Sequence, residues 1–412
     1  ETINWKINDL LTFKHTLRYT DADAQQKNTY HQGFSEGSDS KLIRTAYTTD
    51  EKMTNWATDN QLAYNLITDN TSHNLLLGVD YQKTDSTAKY ADAMYNGIPI
   101  IDLSDPDYDL FSKTALSLTG YQQTDDIEQS QFGVYLQDEM QWNKLTVVAG
   151  LRHDDYKSTT KTTATGSDTK TTVNEANQTS GRLSALYQLD NGFAPYVSYA
   201  QSFQPLLGVN YITGEAFKPT TANQVEVGIK YNSPDKATKA TLSAYDITRK
   251  NDKVTAIDWT KQTQTGETTS KGFEISADHR FNDWLNVGVG YGYVDAEITK
   301  DEFNPQLVGN TPQQIAKHNA TLWASMKPNA KTAVQVGVRH IAGMQIDREN
   351  SDTLPSVTLV DLAGSYQINR MFDVGLTVSN LFDKTYVGSC YDRNNCWMGA
   401  ERQASVSLTA KF

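Results

Sequence analysis

The stretch QVEVGIKY, Gln224 to Tyr231, places Val225, Val227, Ile229 and Tyr231 on one side and Gln224, Glu226, Gly228 and Lys230 on the other. Strict alternation is the period of a β-strand, whose successive side chains leave opposite faces. The pattern recurs in LLLGVDYQ (Leu75, Leu77, Val79 and Tyr81 against Gly78, Asp80 and Gln82). It returns in LNVGVGYGY (285 to 293), in FDVGLTVS and in the closing SVSLTAKF. Each segment has one apolar and one polar face.

The joints between these segments are regular as well. ND (8 to 9), ITDNTSH (67 to 73), NK (143 to 144), DNG (190 to 192), SPDKA (233 to 237), ND (282 to 283), PNAK (328 to 331) and IN (368 to 369) carry hairpin-turn residues. Every second connection is longer and polar, as at 90 to 127, 160 to 178, 206 to 218 and 300 to 312. Alternating short turns and long loops mark a transmembrane β-barrel, with lipid on the apolar side and a wet lumen on the polar side. A soluble β-sandwich also alternates along its strands, but its loop lengths need not. Trp142, Trp284 and Tyr231, near strand ends, read as interfacial girdle residues.

Composition agrees with this reading. Mean hydropathy is −0.58, and no apolar run approaches the ~20 residues of a spanning helix, so a helical membrane protein is excluded. Yet 22 tyrosines, 13 phenylalanines and 7 tryptophans are too many for a disordered acidic chain. A net charge of −12 argues against a nucleic-acid partner. The opening ETINWKINDL lacks the basic start and apolar core of a signal peptide, so the reading expects a mature chain or one cut from a larger protein.

About seventeen strands can be counted, beginning with a fragment at Thr2 to Ile7. Single-chain bacterial barrels have even strand numbers. Either the first fragment is not a strand, which leaves a sixteen-stranded passive diffusion porin, or the chain is the C-terminal portion of a larger barrel.

Both cysteines lie six positions apart in SCYDRNNCWMG, 389 to 399. A single close pair suggests one local clip made in an oxidising compartment, with two free surface thiols as the alternative. The seven histidines are scattered and none falls near the pair, which makes a metal site a poor reading.

The segment SNLFDKTYVGSCYDRNNCWMGAERQASVSLTAKF, 379 to 412, resembles the C-terminus of TonB-dependent outer-membrane siderophore receptors of the ferrichrome and ferrioxamine type. The resemblance rests on Asn380 to Asp383, Tyr386, the cysteine spacing and Gly399 to Gln403. It continues upstream through GVYLQDEMQW (133 to 142), PYVSYAQSFQP (195 to 205), PTTANQVEVGIKY (219 to 231), GFEISADHRFNDWL (272 to 285), NTPQQIAKHNATLW (310 to 323) and LPSVTLVDLAGSY (354 to 366). It implies an all-β, antiparallel transmembrane barrel, residues 1–412 supplying about sixteen to seventeen C-terminal strands of a 22-stranded wall. The plug, its TonB-contacting segment and roughly five strands have no counterpart here.

The implied function is binding and import of a ferric siderophore, of the hydroxamate type, at the bacterial outer membrane, without catalysis. The iron arrives already coordinated, so no cofactor of the protein's own is implied. Partners implied are the siderophore, the TonB complex through the plug, outer-membrane lipid and lipopolysaccharide, the barrel-assembly machinery, and phages or bacteriocins at the loops. Cys390 and Cys396 would close a small extracellular loop. Carried over by motif, ligand contact falls to Tyr391, to Phe203 of YAQSF, and to Tyr90 and Tyr95 of KYADAMYNGIPIIDL. Phe412 looks like the terminal aromatic read during barrel insertion.

Three other motifs lose their force in context. GFSEG (33 to 37) matches G-x-S-x-G, which would make Ser35 the nucleophile of a barrel-embedded hydrolase, but the strand-turn-helix that the motif needs is missing. The glycines of GVGYG (288 to 292) alternate within a strand and read as small inward residues, not a dinucleotide loop. DPDYD (105 to 109) begins like a calcium loop, but Leu110 and Leu116 stand where Gly and Glu are required.

Overall fold

The computed structural model describes residues 1–92, 98–109, 121–211, 213–256, 261–393 and 395–411. Its strands are β1 (Thr2–Lys6), β2 (Leu11–Phe34), β3 (Lys41–Ile67), β4 (Thr71–Asp92), the two-residue β5 (Ile101–Asp102), β6 (Gln123–Trp142), β7 (Leu145–Ala164), β8 (Lys170–Tyr187), β9 (Phe193–Gln204) and β10 (Thr220–Asn232). The chain continues with β11 (Thr238–Thr255), β12 (Gln262–Arg280), β13 (Leu285–Lys300), β14 (His318–Asn329), β15 (Thr332–Ile341), β16 (Val357–Gln367), β17 (Phe372–Ser379), the hairpin β18 (Val387–Asp392) and β19 (Asn395–Met398), and β20 (Gln403–Ala410). Eighteen of them form one sheet. With β5 set aside, seventeen strands build the wall, each antiparallel to the next in chain order.

The first fragment is therefore a strand: Thr2 to Lys6 pair with Thr12 to Thr16. A sixteen-stranded wall does not describe this sheet. Among the described residues no ladder joins β1 to β20, and both strands are exposed along their whole length.

The apolar face looks outward. Leu62, Leu77, Leu136 and Leu151 stand opposite one another on β3, β4, β6 and β7, and their exposures rise from 37% to 61% along that row. On β10, Val225 and Val227 are about half exposed, while the neighbouring Gln224 and Glu226 are less so. In water this arrangement forfeits about 25 cal/mol for every Å² of apolar surface left uncovered. Against hydrocarbon it costs nothing, which is the condition under which such a wall is stable.

Trp142 and Trp284, each about half exposed, border the short-turn end of the wall; Tyr231 joins them, packed against Phe193 at 4.5 Å. Ten positions up β6 from Trp142 stands Phe132 at 42% exposure, and the Tyr19–Trp56 pair marks the upper border nearby. That height matches the 9–11 residues that a tilted strand needs to cross.

The short turns share a chemical device. Asn8 Oδ1 accepts from the Leu10 and Leu11 amides, Asn282 Oδ1 from Trp284 and Leu285, and Asn369 Oδ1 from Met371 and Phe372. An asparagine at these positions supplies the turn's first hydrogen bonds itself.

The far side of the wall departs from the sequence reading. Strands β2, β3 and β4 run for 24, 27 and 22 residues, about twice the crossing length. Most of 160 to 178 and both ends of 90 to 127, read as loop, are strand: β4 reaches Asp92, β6 begins at Gln123, β7 reaches Ala164 and β8 begins at Lys170. Above the membrane both faces of a strand meet water, so apolar-polar alternation vanishes while the ladder continues.

Candidate functional site

The polar face is the lumen face, and charge is organised on it. Arg152 reaches Asp80 at 2.6 and 3.0 Å and Asp154 at 2.7 and 2.5 Å. Asp154 is fully buried and also accepts from Gln131 at 2.8 Å. Beside them the Tyr135 hydroxyl donates to Asp59 at 2.8 Å and accepts from Gln61 at 3.0 Å. On β9 and β10, Tyr196 donates to Glu226 at 2.6 Å. The sequence signal for this network was the alternating Arg152 and Asp154 within a strand, which polarity alone could not distinguish from a solvated face.

Glycines make room for the larger inward groups. A methyl group built on Gly78 would overlap the ring of Tyr135, and one on Gly288 the indole of Trp323. The inward reading of the GVGYG glycines holds on this geometry. Gly288→Val should therefore lower stability by about 1–3 kcal/mol through overpacking, as a shift in the urea midpoint of unfolding. The same change at Gly337, where nothing lies within 4 Å of the added methyl, should cost less.

At the mouth, above the crossing zone, the inward face of β2, β3 and β4 carries a tyrosine cluster. Tyr47 and Tyr90 stack with centroids 6.3 Å apart, and Tyr30 lies 5.8 Å from Tyr47. Tyr90 and Tyr30 donate to Asp92 Oδ2 at 2.8 and 3.2 Å, and the buried Thr45 donates to Asp92 Oδ1 at 3.1 Å. Burial, then the bond to Asp92, pushes the Tyr90 hydroxyl well above its ordinary value, so it remains a protonated donor. Tyr90 was singled out in sequence; Tyr30 and Tyr47 were not, because they lie in polar runs without alternation.

The second assembly at the mouth is built from loops. Cys390 and Cys396 are bonded, closing the β18–β19 hairpin. Cys390 is fully buried and packs with Ile346 and Leu354 from the β15–β16 connection. Its carbonyl accepts from Gln314 of the β13–β14 connection at 2.9 Å. Arg348 bonds the buried Asp301 at 2.9 Å and the Thr255 carbonyl at 3.3 Å, and Asn350 and Thr311 exchange reciprocal bonds at 2.8 and 2.9 Å. Three connections and the outer end of β11 are thus locked into one platform. Tyr391 stands on it, 37% exposed. Burial raises its hydroxyl above the ordinary value, against the opposing charge of Arg348.

The remaining sequence candidates fall elsewhere. Phe203 shares the pleat face of Val197 and Tyr199, both exposed outward, and pairs with Thr221 on the face of Val225. Even spacing along an unbroken ladder fixes that side, so Phe203 does not face the lumen. Tyr95 and Phe412 lie outside the described residues, as do Leu110 and Leu116. Ser35 follows β2 in the turn at its outer end, where its amide donates to the Lys41 carbonyl, far from the crossing zone.

Residues 2–381 match the family model described as "TonB dependent receptor-like, beta-barrel". The chain belongs to the TonB-dependent receptor β-barrel family. It is 31% identical to the ferrichrome outer membrane transporter/phage receptor of Escherichia coli K12 and 32% identical to the ferrioxamine receptor of Yersinia enterocolitica, in each case over 99% of this chain and 57% of the relative. The barrel spans little more than half the length of those relatives. Its fold is that of the siderophore receptor PiuA from Acinetobacter baumannii, with a TM-score of 0.87 at 19% identity over 100% of this chain and 63% of that one. The closed form of the Escherichia coli ferric-catecholate import receptor Fiu aligns at TM-score 0.82 and 21% identity, over 98% and 62%. The receptor barrel is an outer-membrane wall, and its apolar row faces lipid.

Proposed function

We infer that this wall belongs to a receptor that captures a ferric siderophore at the outer face and imports it under TonB control. Open edges on β1 and β20 and 57% coverage of the relatives support a wall completed by further strands, around a plug, in the whole protein. The observation that carries the reading is the mouth: two assemblies offer tyrosine rings and hydroxyls, and among the described residues no group of three or more histidines, cysteines or carboxylates is placed to hold a metal ion. That chemistry suits a metal already wrapped in oxygen donors. Similarity to ferrichrome and ferrioxamine receptors favours a hydroxamate ligand.

Tyr391, Tyr90, Tyr30 and Tyr47 are the proposed contacts. A bacteriocin or phage would meet the same loops; one structural neighbour is the FpvAI–pyocin S2 complex, at TM-score 0.77. The test is growth of an iron-starved host lacking its own hydroxamate uptake, given the complete gene. Growth on ferric hydroxamates that is lost without TonB, and weakened about tenfold in dose by Tyr30→Ala with Tyr90→Ala, is expected. TonB-independent growth would point to passive diffusion instead.

A further inference from the structure

The short-turn end of the lumen carries a group of charges that capture of a ligand at the mouth does not use. Lys239 on β11 is the register partner of Asn232, one step from Ala240 and Tyr231 on the lipid side, so it belongs to the lumen face. Arg280 ends β12 opposite Asn286, one step from His279 and Val287 on the lipid side. Lys327 on β14 follows Met326, which pairs with Leu285 on that same outer side. The three bases line one open recess of about 490 Å³ together with Asp278. With Lys236 and Asp283 from the bordering turns, four cations meet two carboxylates there. This is a local surplus of positive charge on a chain whose net charge is −12.

The donors are free. Lys239, Arg280 and Lys327 are exposed, and among the described residues none of them has an ion-pair or side-chain hydrogen-bond partner. Lys239 even stands opposite Asp278 in the ladder without pairing with it. Outward lysines of the same two strands behave differently: Lys250 reaches Glu267 at 3.7 Å and Lys271 reaches Asp246 at 3.5 Å. Strands β11 and β12 thus match their charges on the outer face and leave them open on the inner one. Like charges gathered in one recess repel each other and raise the local potential, which an anionic surface relieves. Lipid headgroups lie on the other side of the wall, and the ligand-binding tyrosines lie at its other end. What shares the lower lumen with these bases is the plug of the complete receptor.

We propose that this recess docks an acidic segment of the plug, with the Arg280 fork holding a carboxylate and Lys239 and Lys327 flanking it. The inference rests on the receptor reading above and adds to it the chemistry of the surface that fills the lower lumen.

The test is hydrogen–deuterium exchange, read by mass spectrometry on the complete receptor in nanodiscs. Lys239→Glu combined with Lys327→Glu should speed exchange in one acidic plug segment by about tenfold, as the loss of one charge-assisted hydrogen bond implies. Peptides of β3 and β4 should keep their rates, which shows that the wall is intact. Lys239→Gln combined with Lys327→Gln reverses no charge and should give a smaller rise in the same segment. Lysines in place of that segment's carboxylates should restore slow exchange to the glutamate variant. Unchanged plug exchange in both variants, or faster exchange confined to a segment without carboxylates, would overturn the docking surface. TonB-dependent growth on a ferric hydroxamate, measured on the unaltered receptor, would still stand in that case, so the receptor reading is judged separately. A complete protein with no domain inside the lumen would overturn both.

Discussion

Replacing Arg152 with alanine should destabilise the wall by about 3–5 kcal/mol, the range for removing one partner of a buried ion pair. The reason lies in what it leaves behind. Asp154 is fully buried and, among the described residues, would keep Gln131 alone as a side-chain donor, while Asp80 loses both of its bonds to the guanidinium. The two carboxylates would then face each other across a space that Arg152 now fills. Arg152→Lys should recover part of the loss and no more, because an ammonium cannot hold both carboxylates in the forked geometry seen here. Asp154→Asn combined with Arg152→Met should cost less than Arg152→Ala alone, since charge is then removed from both sides. Urea unfolding of the complete receptor in lipid vesicles measures the order; Arg152→Ala costing no more than the double variant would contradict the account.

Leu136→Arg should cost about 2–4 kcal/mol, the price of a cation near the middle of the lipid-facing band. Leu136 is 54% exposed and lies between Phe132 and Trp142 on the same face. Ser198→Arg, an equally drastic change in side chain, should cost less than about 1 kcal/mol. Ser198 occupies the inward face of β9 opposite Glu226, where an arginine finds water and a carboxylate. The contrast between the two variants separates a lipid wall from a soluble sheet. Equal costs at the two positions would remove the reason for assigning the faces as they are.

The lipid-crossing half of the molecule was legible in sequence because hydrocarbon imposes a rule on every second residue. QVEVGIKY, LLLGVDYQ and LNVGVGYGY display it directly, and the asparagine turns mark where each hairpin closes. Legibility stops where the rule stops. TKTTATGSDTKTTV, 160 to 173, is polar on both faces and read as loop, yet much of it forms the ends of β7 and β8. Tyr30 and Tyr47 escaped notice for the same reason. Phe203 failed differently: its motif placed it near the mouth, but the pleat counted from Val197 turns it outward. The two bonded cysteines were visible because resemblance fixed them. The platform holding them depends on contacts between residues 76 positions apart in sequence, such as Gln314 with Cys390, which no local pattern encodes.

The account depends most on which side of β10 meets lipid. Single cysteines from Gln224 to Tyr231, each carrying a nitroxide in the complete receptor in bilayers, report this through collision with oxygen and with a water-soluble nickel chelate. Oxygen should dominate at Val225, Val227 and Ile229, and the chelate at Gln224, Glu226 and Gly228, with a period of two along the strand. The opposite phase, or chelate access at the valines equal to that at the glutamate, would contradict it.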